Sequence, residues 1–152
     1  MSPVGENERG FSLLELLVVL LLLGVSSLIV LPRIDRGFKE REMRQSALKL
    51  AAAARDLRSR AIYESTLQRL IFNPYENSYQ ALGGKKVLLS SGIKITGIEG
   101  GRPLGEGRRQ FLFFPNGSIL GREIELSGGE RSVYIIRLDP LLGRVQVIRG
   151  NE

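Results

Sequence analysis

Between Phe11 and Leu31 the chain runs for 21 residues with one ionisable side chain, Glu15. At about 1.5 Å per residue a helix of that length reaches roughly 31 Å, enough to cross the hydrocarbon core of a bilayer. A segment so apolar and so long is out of place inside a soluble domain built from 152 residues. Residues 11–31 are therefore expected to form a membrane helix, and Glu15 is the residue that needs explaining. A carboxylate at the centre of such a helix costs about 2.5–3.5 kcal/mol on insertion scales, and less near the end of the run. Either the span begins after Glu15, or Glu15 meets a positive charge once the segment leaves the lipid. Cleavage between Gly10 and Phe11 would create that charge. The new amine of Phe11 stands at i, i+4 to Glu15, and could pair with it in its own chain or in a neighbour's.

A Sec-type signal fits these residues less well. Such signals have a basic leader and a short apolar stretch, whereas this leader holds Glu6, Glu8 and Arg9 and its apolar run is longer. The chain is basic, with 22 Lys and Arg against 16 Asp and Glu. Loss of residues 1–10 removes two acids and one base, so the side-chain charge rises from +6 to +7. That balance suits acidic surfaces, anionic lipid or nucleic acid without selecting among them. There is no cysteine and no histidine. Disulfides, Cys- or His-based metal sites and His-dependent triads are thereby excluded. With no G-x-S-x-G either, the chain is not expected to be an enzyme, and neither a metal nor a cofactor is expected.

After Leu31 the pattern stays helical but becomes two-faced. Pro32 lacks a backbone donor and should kink or loosen the helix near it. Met43, Ala47, Leu50, Ala54, Leu57 and Ala61 recur at spacings of three and four, with Lys49, Arg55, Asp56 and Arg58 off the stripe. Residues 32–66 thus read as an amphipathic helix, whose stripe packs on its own sheet or serves a coiled coil between subunits. From Leu67 the period changes to strands. Candidates are 67–72 and 78–82, flanking a turn at 73–77, then 86–89 paired with 93–98, then 110–114, 119–126, 132–138 and 145–148. Asn116-Gly117 and Gly128-Gly129 supply turn chemistry between them. Residues 99–109 hold four glycines and Pro103, without a phosphate-binding pattern, and read as an exposed loop. The fold class is α+β: a long N-terminal helix, half membrane and half amphipathic, packed on antiparallel sheet over 67–152.

Gly10-Phe11-Ser12-Leu13-Leu14-Glu15 before a long apolar helix resembles the class III signal of type IV pilins and type II secretion pseudopilins. The resemblance implies that a membrane-embedded prepilin peptidase cuts after Gly10, that Phe11 is methylated at its new amine, and that Glu15 is the assembly glutamate. Gly24 and Pro32 stand where family members often carry a helix-loosening glycine and a kink-forming proline. Phe113-Phe114-Pro115-Asn116-Gly117-Ser118, Gly121 and Leu142-Gly143-Arg144-Val145 resemble the C-terminal domain of H-type minor pseudopilins and the related FimT/FimU minor pilins. Arg122 replaces the second glycine of that pattern, and Leu142 its threonine. An acidic calcium-loop cluster, as expected of the major pseudopilin, is missing near the C-terminus.

The resemblance implies a pilin-like fold and a division into a cleaved leader (1–10), a transmembrane and assembly helix (11–31), an amphipathic helix (32–66) and a periplasmic β domain (67–152). It implies a minor pseudopilin of the type II secretion system, held in the bacterial inner membrane by a single pass with its N-terminus cytoplasmic. Expected partners are other pseudopilins, the prepilin peptidase, the inner-membrane assembly platform and inner-membrane lipid. The cations after the span (Arg33, Arg36, Lys39, Arg41 and Arg44) would by the positive-inside rule favour the opposite orientation, although long translocated domains partly escape it. The alternative is a minor type IV pilin acting in pilus assembly or DNA uptake. In that case Arg102, Arg108, Arg109, Lys85 and Lys86 would contact phosphates. The plainer reading of those cations is a solvated face, so nucleic acid is not an expected partner.

Overall fold

The computed structural model describes residues 12–129 and 132–150, with the backbone alone for residues 28–36. The chain divides into two compact units, residues 1–38 and 39–152, and the helix α1 (Leu13–Tyr63) has residues in both. Each unit is described by itself.

In the first unit the carbonyl of Ser12 accepts the amide of Leu16 at 3.1 Å and opens α1. Glu15 lies in the first turn, where the free amides of a helix N-terminus favour a carboxylate. Every large apolar side chain from Leu13 to Val25 is exposed, so this stretch is apolar all round and buries no face of its own. Among the described residues no helix is long and apolar enough to cross a membrane. The side chains of 28–31, which complete the apolar run in the sequence, lie outside the described residues.

The second unit has a core of its own. The stripe read from the sequence is its centre: Met43, Ala47, Leu50, Ala54, Leu57 and Ala61 are all buried, joined by Ala51. The small alanines let the helix sit close to two antiparallel sheets. The first is ordered β3 (Lys86–Leu88), β2 (Ser78–Ala81), β1 (Gln68–Asn73), β6 (Arg108–Phe113) and β5 (Arg102–Gly105), with β7 (Ile119–Leu120) pairing on β6. The second is ordered β10 (Val145–Gly150), β9 (Val133–Leu138), β8 (Glu123–Ser127) and β4 (Lys94–Glu99). Inward side chains of both sheets, such as Leu70, Phe72, Phe111, Ile124 and Ile136, join the helix stripe in one apolar cluster. The stripe therefore packs within its own domain, in the α+β arrangement expected.

Phe111 is the most tightly housed member. It meets Phe72 edge to face at 5.0 Å between ring centroids. A Cβ on Gly101 would stand 2.6 Å from a carbon of its ring, and one on Gly121 would also strike the ring. These two glycines are the walls of the Phe111 slot. The break at Gly121-Arg122 divides the single strand expected over 119–126 into β7 and β8.

Two further expectations are corrected. Segments 86–89 and 93–98 do not pair: β3 joins β2 in the first sheet, and β4 joins β8 in the second. Asn77 spans the gap, its side chain accepting the Ile95 amide at 3.0 Å and donating to the Ile93 carbonyl. Residues 99–109 are not an irregular loop but the β5–β6 hairpin, with Gly105, Glu106 and Gly107 all at positive φ. Pro103 is tolerated because β5 is an edge strand, where a missing amide costs no ladder bond.

Candidate functional site

Two sets of residues carry the chemistry available to this chain. The first is the N-terminal end. Gly10 and Phe11 lie outside the described residues, and Glu15 is present in the first turn of α1 with its neighbours Leu14 and Leu16 exposed. Gly24 lies inside the helix with nothing within 4 Å of where a Cβ would stand. The helix continues through Pro32. Among the described residues no cation stands within ion-pair distance of Glu15.

The second set joins α1 to the second sheet at both ends of the domain. At one end Glu40 accepts the Ser132 hydroxyl at 2.6 Å and the Tyr134 hydroxyl at 2.9 Å, with the Arg149 guanidinium 3.4 Å away. The Ser132 bond does most to hold the Glu40 carboxyl below its ordinary pKa; partial burial opposes it, and Tyr134 and Arg149 add to it. Tyr134 moves the other way, raised by burial and by donating to Glu40. At the other end Arg55 donates to the Val145 carbonyl at 2.9 Å. Arg58 donates from Nε to the Gly117 carbonyl and from Nη2 to the Leu142 carbonyl, both at 3.0 Å.

Arg58 gives a physical reason for two glycines in separate motifs. Gly117 has φ +82, and a Cβ there would stand 3.1 Å from an Arg58 nitrogen. Gly143 has φ +65, and a Cβ there would overlap the guanidinium outright. Both glycines clear a channel for one side chain. The turn that Arg58 grips is itself closed: Asp139 Oδ1 accepts the amides of Leu141 and Leu142 at 2.9 and 2.8 Å. Those two amides hold the Asp139 carboxyl below its ordinary pKa.

Arg55 and Arg58 stand off the apolar stripe in the sequence and give no sign there of their carbonyl partners. Glu40 is likewise silent, since Ser132 and Tyr134 are some ninety residues away. The cations considered for phosphate are largely engaged within the chain. Arg108 pairs with Glu106, Lys86 with Glu76, and Arg109 donates to the Gly100 carbonyl at 2.9 Å. Among the described residues there is no acidic or sulfur cluster that could hold a metal.

Comparison with known proteins fits this division. Residues 6–31 match the family described as the prokaryotic N-terminal methylation motif. The type II secretion system protein H of Xanthomonas campestris pv. campestris is 28% identical over 129 residues, covering 83% of this chain and 76% of that protein. The N-terminal motif supplies only a small part of such a match, which must run through the sheet domain. The chain thus carries a prepilin-type N-terminal motif and is similar over most of its length to an H-type type II secretion protein. No solved structure matches it. Glu40, Arg55 and Arg58 all spend their hydrogen bonds within the chain, tying the helix to residues 117–145 of the sheet domain.

Proposed function

We propose that this chain is a minor pseudopilin of a type II secretion system, cleaved by a prepilin peptidase between Gly10 and Phe11 and assembled with other pseudopilins into a periplasmic fibre. The observation that carries this is the extent of the similarity to a type II secretion system protein H, which covers 83% of the chain and so reaches into the sheet domain, beside a separate match of residues 6–31 to the N-terminal methylation motif. Engagement of Arg108, Arg109 and Lys86 within the fold speaks against a phosphate-binding role, and so against the DNA-uptake alternative.

Before assembly, residues 11–31 anchor the precursor in the inner membrane, with the N-terminus cytoplasmic and the sheet domain periplasmic. An assembly platform then moves the processed subunit into the fibre. There the apolar side chains from Leu13 to Val25, which are exposed and find no partner among the described residues, are buried against neighbouring helices. Glu15 enters a medium of low dielectric constant, where an unpaired carboxylate is costly and a paired one is tolerable. The methylated amine of a Phe11 supplies its partner, and a subunit out of register leaves both charges unpaired. Gly24 and Pro32 let the helix bend as it moves from lipid to fibre.

Glu15→Val and Glu15→Leu keep the segment apolar and remove the charge. Both are expected to leave peptidase cleavage intact while abolishing incorporation into the fibre and export of the secreted protein, measured in cells lacking the parent chain. Unaltered incorporation and export in both variants would show that the pairing is not used.

A further inference from the structure

The first sheet has a second face that the core does not use. Leu70, Phe72 and Phe111 point into the core, so the alternate positions on β1 and β6 point away from it. Register puts Arg69 beside Leu112, Leu112 beside Leu120, Ile71 beside Gln110 and Gln110 beside Arg102. Leu112 is only 5% exposed yet stands apart from the main core cluster, and Leu120 beside it is 40% exposed. This outer face is thus an apolar strip with basic side chains around it.

The charges there are unbalanced. Arg69 and Arg102 have no carboxylate within ion-pair distance among the described residues, while Arg108 and Lys86 are answered by Glu106 and Glu76. On the second sheet the outward charges instead close on one another, as Arg137 with Glu123 and Arg122 with Glu99.

We propose that this face, centred on the exposed Leu120 and rimmed by Arg69 and Arg102, docks an apolar patch edged with carboxylates on a different pilin-type subunit. The inference rests on the pseudopilin reading above and adds which surface makes the contact and what chemistry meets it. A second copy of this chain is a poor occupant, because like faces would set Arg69 and Arg102 against their own kind. Nucleic acid is a poor occupant too, because the exposed leucine at the centre of the face matches nothing in a phosphate backbone.

The test uses the full-length chain in cells carrying the secretion apparatus. A photo-crosslinking residue in place of Leu120 is expected to join the chain to one pilin-type subunit of different sequence. The double charge reversal Arg69→Glu/Arg102→Glu is expected to reduce that product about tenfold or more, as rim charges set encounter and register. Reversal of a facing carboxylate to lysine on the partner is expected to restore it. Processing and thermal stability of the double variant should match the parent, since both arginines are exposed and unpaired. Crosslinks to another copy of the chain, to nucleic acid or to lipid, or a yield indifferent to charge reversal, would overturn the proposal. Export that does not need this chain at all would instead defeat the pseudopilin reading, whereas export that needs the chain but ignores the double reversal defeats only the docking surface.

Discussion

One helix, α1, is built to two opposite rules. Over Leu13 to Val25 its apolar side chains point in every direction and all are exposed; from Met43 to Ala61 they form one stripe, and all of that stripe is buried. Helix propensity is similar in both stretches, so propensity does not separate them. What differs is where each finds its partner. The later stretch meets its own sheets inside one chain, and its polar side chains are left to grip carbonyls at the domain's edge. The earlier stretch has no apolar partner among the described residues of its own unit, and a surface apolar all round belongs in lipid or among other helices. Such a subunit is complete as a fold and incomplete as a surface.

Removing bulk from each half should break this symmetry of composition most visibly. Phe111→Ala empties the slot between Gly101 and Gly121 and should cost about 3–5 kcal/mol of domain stability, read by denaturant unfolding of the chain in detergent. Leu20→Ser in the exposed stretch should leave the same transition within about 0.5 kcal/mol. Equal losses from both would mean that the two halves are not independent. Next in size is Arg58→Ala, expected to cost about 1.5–3 kcal/mol because two carbonyls lose a charged donor. Arg58→Lys should not restore it, since one ammonium cannot reproduce the fork that reaches Gly117 and Leu142 together.

The smallest effect sharpens the comparison by pH. Because the Glu40 carboxyl is held below its ordinary value of 4.5, its contribution is complete above that pH and is lost as the pH falls through the lowered folded value. Glu40→Gln should cost about 1 kcal/mol at neutral pH and should flatten the acid side of the stability profile. A profile of unchanged slope would show that Glu40 is not the group that titrates there.

Much of this was legible in the sequence, and the misses have particular causes. The buried stripe from Met43 to Ala61 was readable because a period near 3.6 on one helix reports its own burial. Gly10, Phe11 and Glu15 were singled out because a lone carboxylate in an apolar run calls for a partner, and the role proposed for them rests on the Glu15 variants. Strand periodicity, by contrast, says that a segment is extended and not what it pairs with, so 86–89 and 93–98 were placed together although they part into different sheets. Four glycines hid the β5–β6 hairpin within 99–109, since glycine contributes nothing to an alternating pattern. Glu40 and Arg58 were invisible for a deeper reason: each acts on residues far away in the chain, and no local signal marks a side chain that crosses to a distant turn.

The Arg58 channel also fixes when the domain can be finished. Its two acceptors lie 59 and 84 residues further along, at Gly117 and Leu142. Contacts between such distant residues form late, because the intervening chain must be ordered first. While the chain is synthesised from its N-terminal end, the helix is available long before the turn at Leu142 emerges. Until then Arg58 has nothing to hold, and the last hairpin cannot close on the helix. The seal is therefore an end-of-chain checkpoint: a subunit cut short before Leu142 would keep its helix but never lock the second sheet to it.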